Sequence, residues 1–373
     1  MVLRIFGLSF LITIVSLVVA FFYGGLQAFI LCAILGILEV SLSFDNAVIN
    51  ATVLRRMSEF WQRMFLTVGI LIAVFGMRLI FPLAVVWITA GLNPVAALEL
   101  ALNPPPEDAP FFEDGRPSYE TYLTEAHPQI AAFGGMFLLM LFLNFIFETR
   151  DITWLSWLER PLAKAGRLDQ LAVAICGTAL LLTAQFIAAS DDETTVLIAG
   201  LLGIITYIVV DGLGSMFEVE VPDEVLDPEA PPTSGPSEFV KAAGKAGFFL
   251  FLYLEVLDAS FSFDGVIGAF AITADPIIIA LGLGFIGAMF VRSITIFLVR
   301  KGTLSEYVYL EHGAHWAIGA LAIILLVSIG VHVNEIFTGL IGVVLIAAAF
   351  LTSIVRRRSE MTQAAELESA SAS

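Results

Sequence analysis

Two short acidic stretches carry the chemistry this chain can do. The first is Glu39-Val-Ser-Leu-Ser-Phe-Asp-Asn46 and the second is Asp258-Ala-Ser-Phe-Ser-Phe-Asp-Gly265, and one constant shift lays Glu39 on Asp258, Ser41 on Ser260, Ser43 on Ser262 and Asp45 on Asp264. Both sit inside apolar runs. A single ionised carboxylate at a bilayer centre costs roughly 2.5–3.5 kcal/mol on insertion scales. A chain that accepts this twice, with the same serines between the acids, builds one site from two halves. The candidate ligands are Glu39, Ser43, Asp45 and Asn46 from the first half, and Glu255, Asp258, Ser262 and Asp264 from the second. All are oxygen donors, with no Cys or His in either stretch. Hard oxygen ligands suit Mn²⁺, Ca²⁺ or Mg²⁺ better than Cu or Zn.

The charges agree with a cation. Five carboxylates (Glu39, Asp45, Glu255, Asp258 and Asp264) face two guanidiniums, Arg78 and Arg292, each in the span after its acidic stretch. One divalent ion and one proton neutralise the remainder, whereas an oxyanion is repelled. Arg78 and Arg292 are charge-balancing or gating candidates. Salt bridging that only holds helices together is the plainer alternative for them, and close helix packing is the plainer role for Ser41 and Ser260.

The frame that positions these residues is a membrane one. The chain of 373 residues is 58% hydrophobic and only 14% charged, and its mean hydropathy of +0.92 lies far above that of a water-soluble domain. Apolar runs of about 20 residues cross a hydrocarbon core of about 30 Å. An all-α polytopic bundle of about ten spans is expected, at 4–22, 26–53, 64–90, 130–147, 169–189, 195–217, 246–272, 276–299, 314–330 and 334–355. The first is read as a helix, not a signal peptide, because no small-residue cleavage pattern precedes Tyr23. Basic residues set the orientation: with the N-terminus inside, Arg55, Arg56, Arg63, Arg160, Lys164 and Arg356 all fall inside, and the outer segments hold only Arg116. Both termini are then cytoplasmic.

The acidic stretches lie in spans two and seven. That odd separation makes the two helices run in opposite directions, so the repeat is inverted, an arrangement that puts transporter sites near the midplane. The chain divides into an N-terminal helix (1–25), a first repeat half (26–150), a linker of two spans and an acidic loop (151–245), a second half (246–333), a last span (334–358) and a disordered tail (359–373). The loops 91–129 and 218–245, rich in proline and acids, are expected to be extended.

On an unbroken helix Glu39, Ser43 and Asn46 share one face, and Glu255, Asp258 and Ser262 share another. Asp45 and Asp264 fall roughly 120° away by the 3.6-residue period. Either they serve a neighbouring contact, or the helix unwinds near Asn46 and Gly265 and turns them inward; a break is the expectation. Trp154 and Trp157, amid Arg150, Arg160 and Lys164, suggest a segment lying on the inner surface. Asn144 reads as an interhelical hydrogen bond, and Asp191-Asp192-Glu193 as a solvated turn. Cys32 and Cys176 have neither disulfide nor metal spacing. There is no basic face for nucleic acid and no nucleophile–base constellation for an enzyme, and no prosthetic group is implied.

The first stretch resembles the TerC family of integral membrane proteins, of the LysE-type transporter superfamily, whose Glu-x-Ser-Leu-Ser-x-Asp-Asn motif it matches from Glu39 to Asn46 without a gap. Glu255, Asp258, Phe261 and Asp264 are similar to that family's second pattern, and Ile272-Thr-Ala-Asp-Pro276 to its Ile-Thr-x-Asp-Pro turn. Gly265 departs from the usual Ser there and removes one hydroxyl. The long outer loop and extra helices mark a divergent branch of unknown function. The resemblance implies export of Mn²⁺ or a related metal across a bacterial cytoplasmic membrane. Exchange for protons is an expectation from the crowded carboxylates themselves, since like charges hold a proton that an entering cation displaces. An exporter of a cationic amino acid, or a scaffold that supplies metal to exported proteins, would also fit an acidic centre.

Overall fold

The computed structural model describes the backbone of residues 2–371 apart from 43, 73–75, 77–79, 90, 106–108, 217–241, 271–272, 274, 301–306 and 334, and leaves out further side chains, among them those of 41–45 and 260–268. The described residues form an all-α bundle with no strands beyond two isolated bridges. Among the described residues six helices are long and apolar enough to cross a membrane: Ile5–Ile37, Tyr119–Phe147, Glu193–Gly212, Pro276–Val299, Leu310–Ser328 and Leu340–Ser359. The chain is therefore a polytopic membrane protein. Leu171–Phe186 is apolar but shorter. Two further expected spans are distinguished by what they carry: the helix Gly244–Phe270 holds the second acidic stretch, and 64–90 includes residues outside those described.

The first helix, α1, runs Val2–Leu42 but is not continuous, because Gly24 and Gly25 leave the helical region, Gly25 with φ +69°. Only glycine takes that conformation without strain. Two expected spans thus meet at a glycine hinge. α2 (Phe44–Arg55) follows, then α3 (Glu59–Met64), which passes into a π-helical turn, Phe65–Gly69. α4 is Phe81–Thr89.

The outer segment 91–129 is more ordered than its prolines suggest. α5 spans Pro94–Leu102, with the Asn93 side chain accepting from the Ala96 amide and Pro94 in the first turn. α6 begins at Tyr119, ahead of the expected 130, where Ser118 caps it by accepting from the Thr121 amide. Capping residues with proline at the first turn are helix starts, and they outweigh the proline content of the loop between. That loop turns at Gly115, where the Arg116 guanidinium beside Asp114 holds the Asp114 carboxyl below its usual range.

α6 (Tyr119–Phe147) is the centre of the bundle and packs against α9 (Glu193–Met216) and α13 (Leu310–Ser328). The Asn144 amide donates to the Tyr207 hydroxyl at 3.0 Å, the interhelical bond expected of it. Between them lie α7 (Ser156–Ala165) and α8 (Leu171–Phe186), and Asp191-Asp192 form the turn into α9. α10 (Gly244–Phe270) is followed by α11 (Pro276–Ile279), a second π-helical stretch, Ala280–Gly287, and α12 (Ala288–Arg300). The last helix, α14, runs Glu335–Ser371. It overturns the expected disordered tail: Ala, Glu, Gln and Met are strong helix formers that extend a helix already nucleated by its apolar part. The expected acidic inner loop, 218–245, lies mostly outside the described residues.

Candidate functional site

The two acidic stretches are brought together by the ends of their helices. Beyond α2, the Ser58 amide donates to the Ala242 carbonyl (2.9 Å) and the Ala242 amide to the Arg56 carbonyl (2.7 Å), which pins the end of α2 to the entry of α10. Further along both helices, the Asn46 side-chain amide donates to Asp258 Oδ1. From Asn46 to Met57 the chain runs one way, and from Ala242 to Asp258 it returns. α2 and α10 are therefore antiparallel, the relation that an inverted repeat requires of its motif helices.

Glu39 and Glu255 are each placed by an ordinary packing stripe. On α1, Ala28, Cys32 and Leu35 pack into one apolar cluster with Ile279, Leu283 and Ile286. Glu39 continues that face by helical spacing and is carried against Gly287, 1% exposed. On α10, Phe251 packs its ring on Phe65 and on Trp61. Glu255, one turn on, comes against Gly69, with its Oε1 2.6 Å from where a Cβ would stand. The two halves mirror one another: each buried glutamate meets the glycine that closes a π-helical turn in the opposite half. π-Turns are uncommon and concentrate at functional sites because they displace a backbone turn locally.

Asp258 and Asn50 line a cavity of about 20 Å³, together with Leu66, Arg292 and Thr295. That is room for one water-sized particle. Arg292 donates from Nε to the Leu66 carbonyl at 2.9 Å, so an arginine of the second half reaches the π-helical turn of the first. Thr295 Oγ1 donates to the Val291 carbonyl and lies 3.5 Å from that of Ala47. Buried polar groups are normally bonded, yet among the described residues neither oxygen of Glu255 has a hydrogen-bond partner, nor does Asn50 Oδ1.

Of the predicted site residues, Glu39, Asn46, Glu255 and Asp258 are all buried, Asn46 bonds Asp258 directly, and Arg292 shares the cavity of Asp258. Ser43, Asp45, Ser262 and Asp264 have side chains outside those described, and Arg78 lies outside altogether. Among the described residues, no three Asp, Glu, His or Cys side chains converge in metal-holding geometry. The expected break does not occur at Gly265: α10 is helical through to Phe270. Asn46 is likewise helical, and the described helix bounds fall at Leu42 and Phe44. Backbone hydrogen bonding within an apolar run favours the continuous helix. Asn50, Gly69, Gly287 and Thr295 went unmarked in the sequence. Asn50 alone had a signal, one turn after Asn46.

A family model described as "Protein of unknown function (DUF475)" matches residues 44–360. The chain belongs to the DUF475 family. The match takes in α2 and the whole second acidic stretch. No curated protein matches, and no solved structure does.

Proposed function

We propose that this DUF475 member is a transporter that exports a divalent metal cation, Mn²⁺ before Ca²⁺ or Mg²⁺, in exchange for protons across a bacterial cytoplasmic membrane. The observation that carries the reading is the Asn46–Asp258 hydrogen bond. It joins two acidic stretches that the sequence repeats and that run antiparallel through an apolar bundle. The resemblance of those stretches to the TerC family supports the same reading. Asp45 and Asp264 complete the ligand set in this proposal.

The chemistry follows from the donor types. An oxygen-only centre favours a hard cation, and a metal entering displaces protons because its ligands act deprotonated. Outward release of the ion with reprotonation of the acids, then proton loss inside on the next binding, gives the exchange. Arg292, and Arg78 by its place in the repeat, offset the acids when the ion has left. Both termini are cytoplasmic in this scheme, and the chain acts as a carrier, not an enzyme.

Proteoliposomes loaded with Mn²⁺ test the reading. Wild-type protein should release the ion, and Asp45→Asn and Asp264→Asn, which each remove one charge at nearly constant volume, should not. Normal flux through either variant excludes the two-half site.

A further inference from the structure

A second polar site lies away from the carboxylate centre, where α6 ends and α13 begins. A cavity of about 210 Å³ opens there, its wall carrying Arg150, Arg160, Lys164 and Arg167 against the acids Glu148 and Glu159. Arg160 and Lys164 sit one turn apart on α7, and Arg167 follows in the turn just past its end.

The two acids are already engaged within the fold. Glu159, only 3% exposed, accepts from the Trp154 and Leu155 amides and from the Trp316 indole, and meets His312 Nδ1 at 3.1 Å. Glu148 pairs with Arg150 Nη2 at 2.5 Å. Among the described residues Arg160, Lys164 and Arg167 have no ion-pair partner. The Arg150 guanidinium lies over the Phe145 ring at 4.0 Å, and its Nε is buried with no hydrogen-bond acceptor. Arg150 is 31% exposed, with Nη2 on Glu148 and Nη1 3.8 Å from Glu311, so its buried Nε is the donor left for a further acceptor. That donor beside Arg160, Lys164 and Arg167 suits an oxyanion with several acceptor oxygens.

The surroundings say where that anion comes from. Trp157 is 75% exposed, and Ile152 and Leu168 are exposed beside the same segment. Indole and aliphatic groups interleaved with Arg and Lys mark a helix lying at headgroup depth, and basic pockets between spanning helices hold anionic headgroups. We infer that this cavity binds a phosphate group, that of an anionic phospholipid headgroup at the membrane surface. The buried Glu159 ties α7 to α13, so an occupied site clasps α6, α7 and α13 together. The site is independent of metal transport.

Native mass spectrometry of the full-length protein in a non-ionic detergent, titrated with phosphatidylglycerol or phosphatidylcholine, tests this. The wild type should retain one phosphatidylglycerol in preference to phosphatidylcholine. Arg160→Gln with Lys164→Gln and Arg167→Gln should weaken it by more than about tenfold, whereas Arg160→Lys with Arg167→Lys keeps the charge and should retain it. If the triple variant elutes as aggregate, Arg167→Gln alone, beyond the end of α7, should still weaken retention. Displacement of the lipid by millimolar inorganic phosphate would support the pocket and assign it to a soluble phosphate. Equal retention of phosphatidylglycerol by wild type and charge-removed variants, or no preference over phosphatidylcholine, overturns the inference.

Discussion

Asn46 donates its side-chain amide to Asp258, 212 positions further along the chain. The bond holds the end of one repeated stretch to the start of the other inside an apolar bundle. Asn46→Ala should remove this donor from the buried Asp258 carboxylate and destabilise the protein by about 1–3 kcal/mol. Asn46→Asp places a second carboxylate against the first and should be worse. Thermal unfolding of the purified variants in detergent reads both, and an Asn46→Asp protein as stable as wild type would show that the two side chains do not meet.

Gly287 and Gly69 are predicted to resist substitution, and not equally. A Cβ on Gly287 collides with both Cγ and Cβ of Glu39, while one on Gly69 first meets the far end of Glu255 and the Phe65 ring. A carboxylate tip can move aside more readily than a Cβ fixed to a helix. Gly287→Ala should therefore cost the upper part, and Gly69→Ala the lower part, of the roughly 1–3 kcal/mol typical of overpacking. Unfolding midpoints in the reverse order would refute the placement of Glu39.

How much of this was legible beforehand differs by residue. The membrane class was plain, because apolar runs record a solvent that excludes unpaired backbone groups. The pairing of the two stretches was legible because the chain writes the same chemistry twice. The π-helical turns at Phe65–Gly69 and Ala280–Gly287 leave no mark in composition, so the glycines that seat the glutamates could not be picked out. The helices at Pro94 and Tyr119 were legible in principle from Asn93 and Ser118, but proline and charge in the intervening loop dominated the reading. Glu159 carries no mark in the sequence, and the fold shows three donors closing on it.

Glu159→Ala should remove the common acceptor of the Trp154 and Leu155 amides and the Trp316 indole. Loss of about 3 kcal/mol is expected for a buried charged acceptor of this kind, with Glu159→Gln milder because it keeps one carbonyl oxygen. The check is the unfolding midpoint of each variant, and an unchanged midpoint for Glu159→Ala would place that side chain at the surface.

The orientation proposed from basic residues places residue 110 outside and residue 230 inside. Reporter fusions or thiol labelling at single introduced cysteines should find the two on opposite faces. Finding both on one side would remove the ten-span arrangement while leaving the Asn46–Asp258 contact intact.

The central claim is that the joined acidic stretches carry a divalent cation against protons. Its most direct test is Mn²⁺ release from proteoliposomes that also enclose a pH-sensitive dye. Wild-type protein should release Mn²⁺ and acidify the compartment the metal leaves, should prefer Mn²⁺ to Zn²⁺, and should do neither once Asp258→Asn removes the charge that Asn46 holds. Mn²⁺ release at the same rate from wild-type, Asp258→Asn and protein-free vesicles would contradict the account.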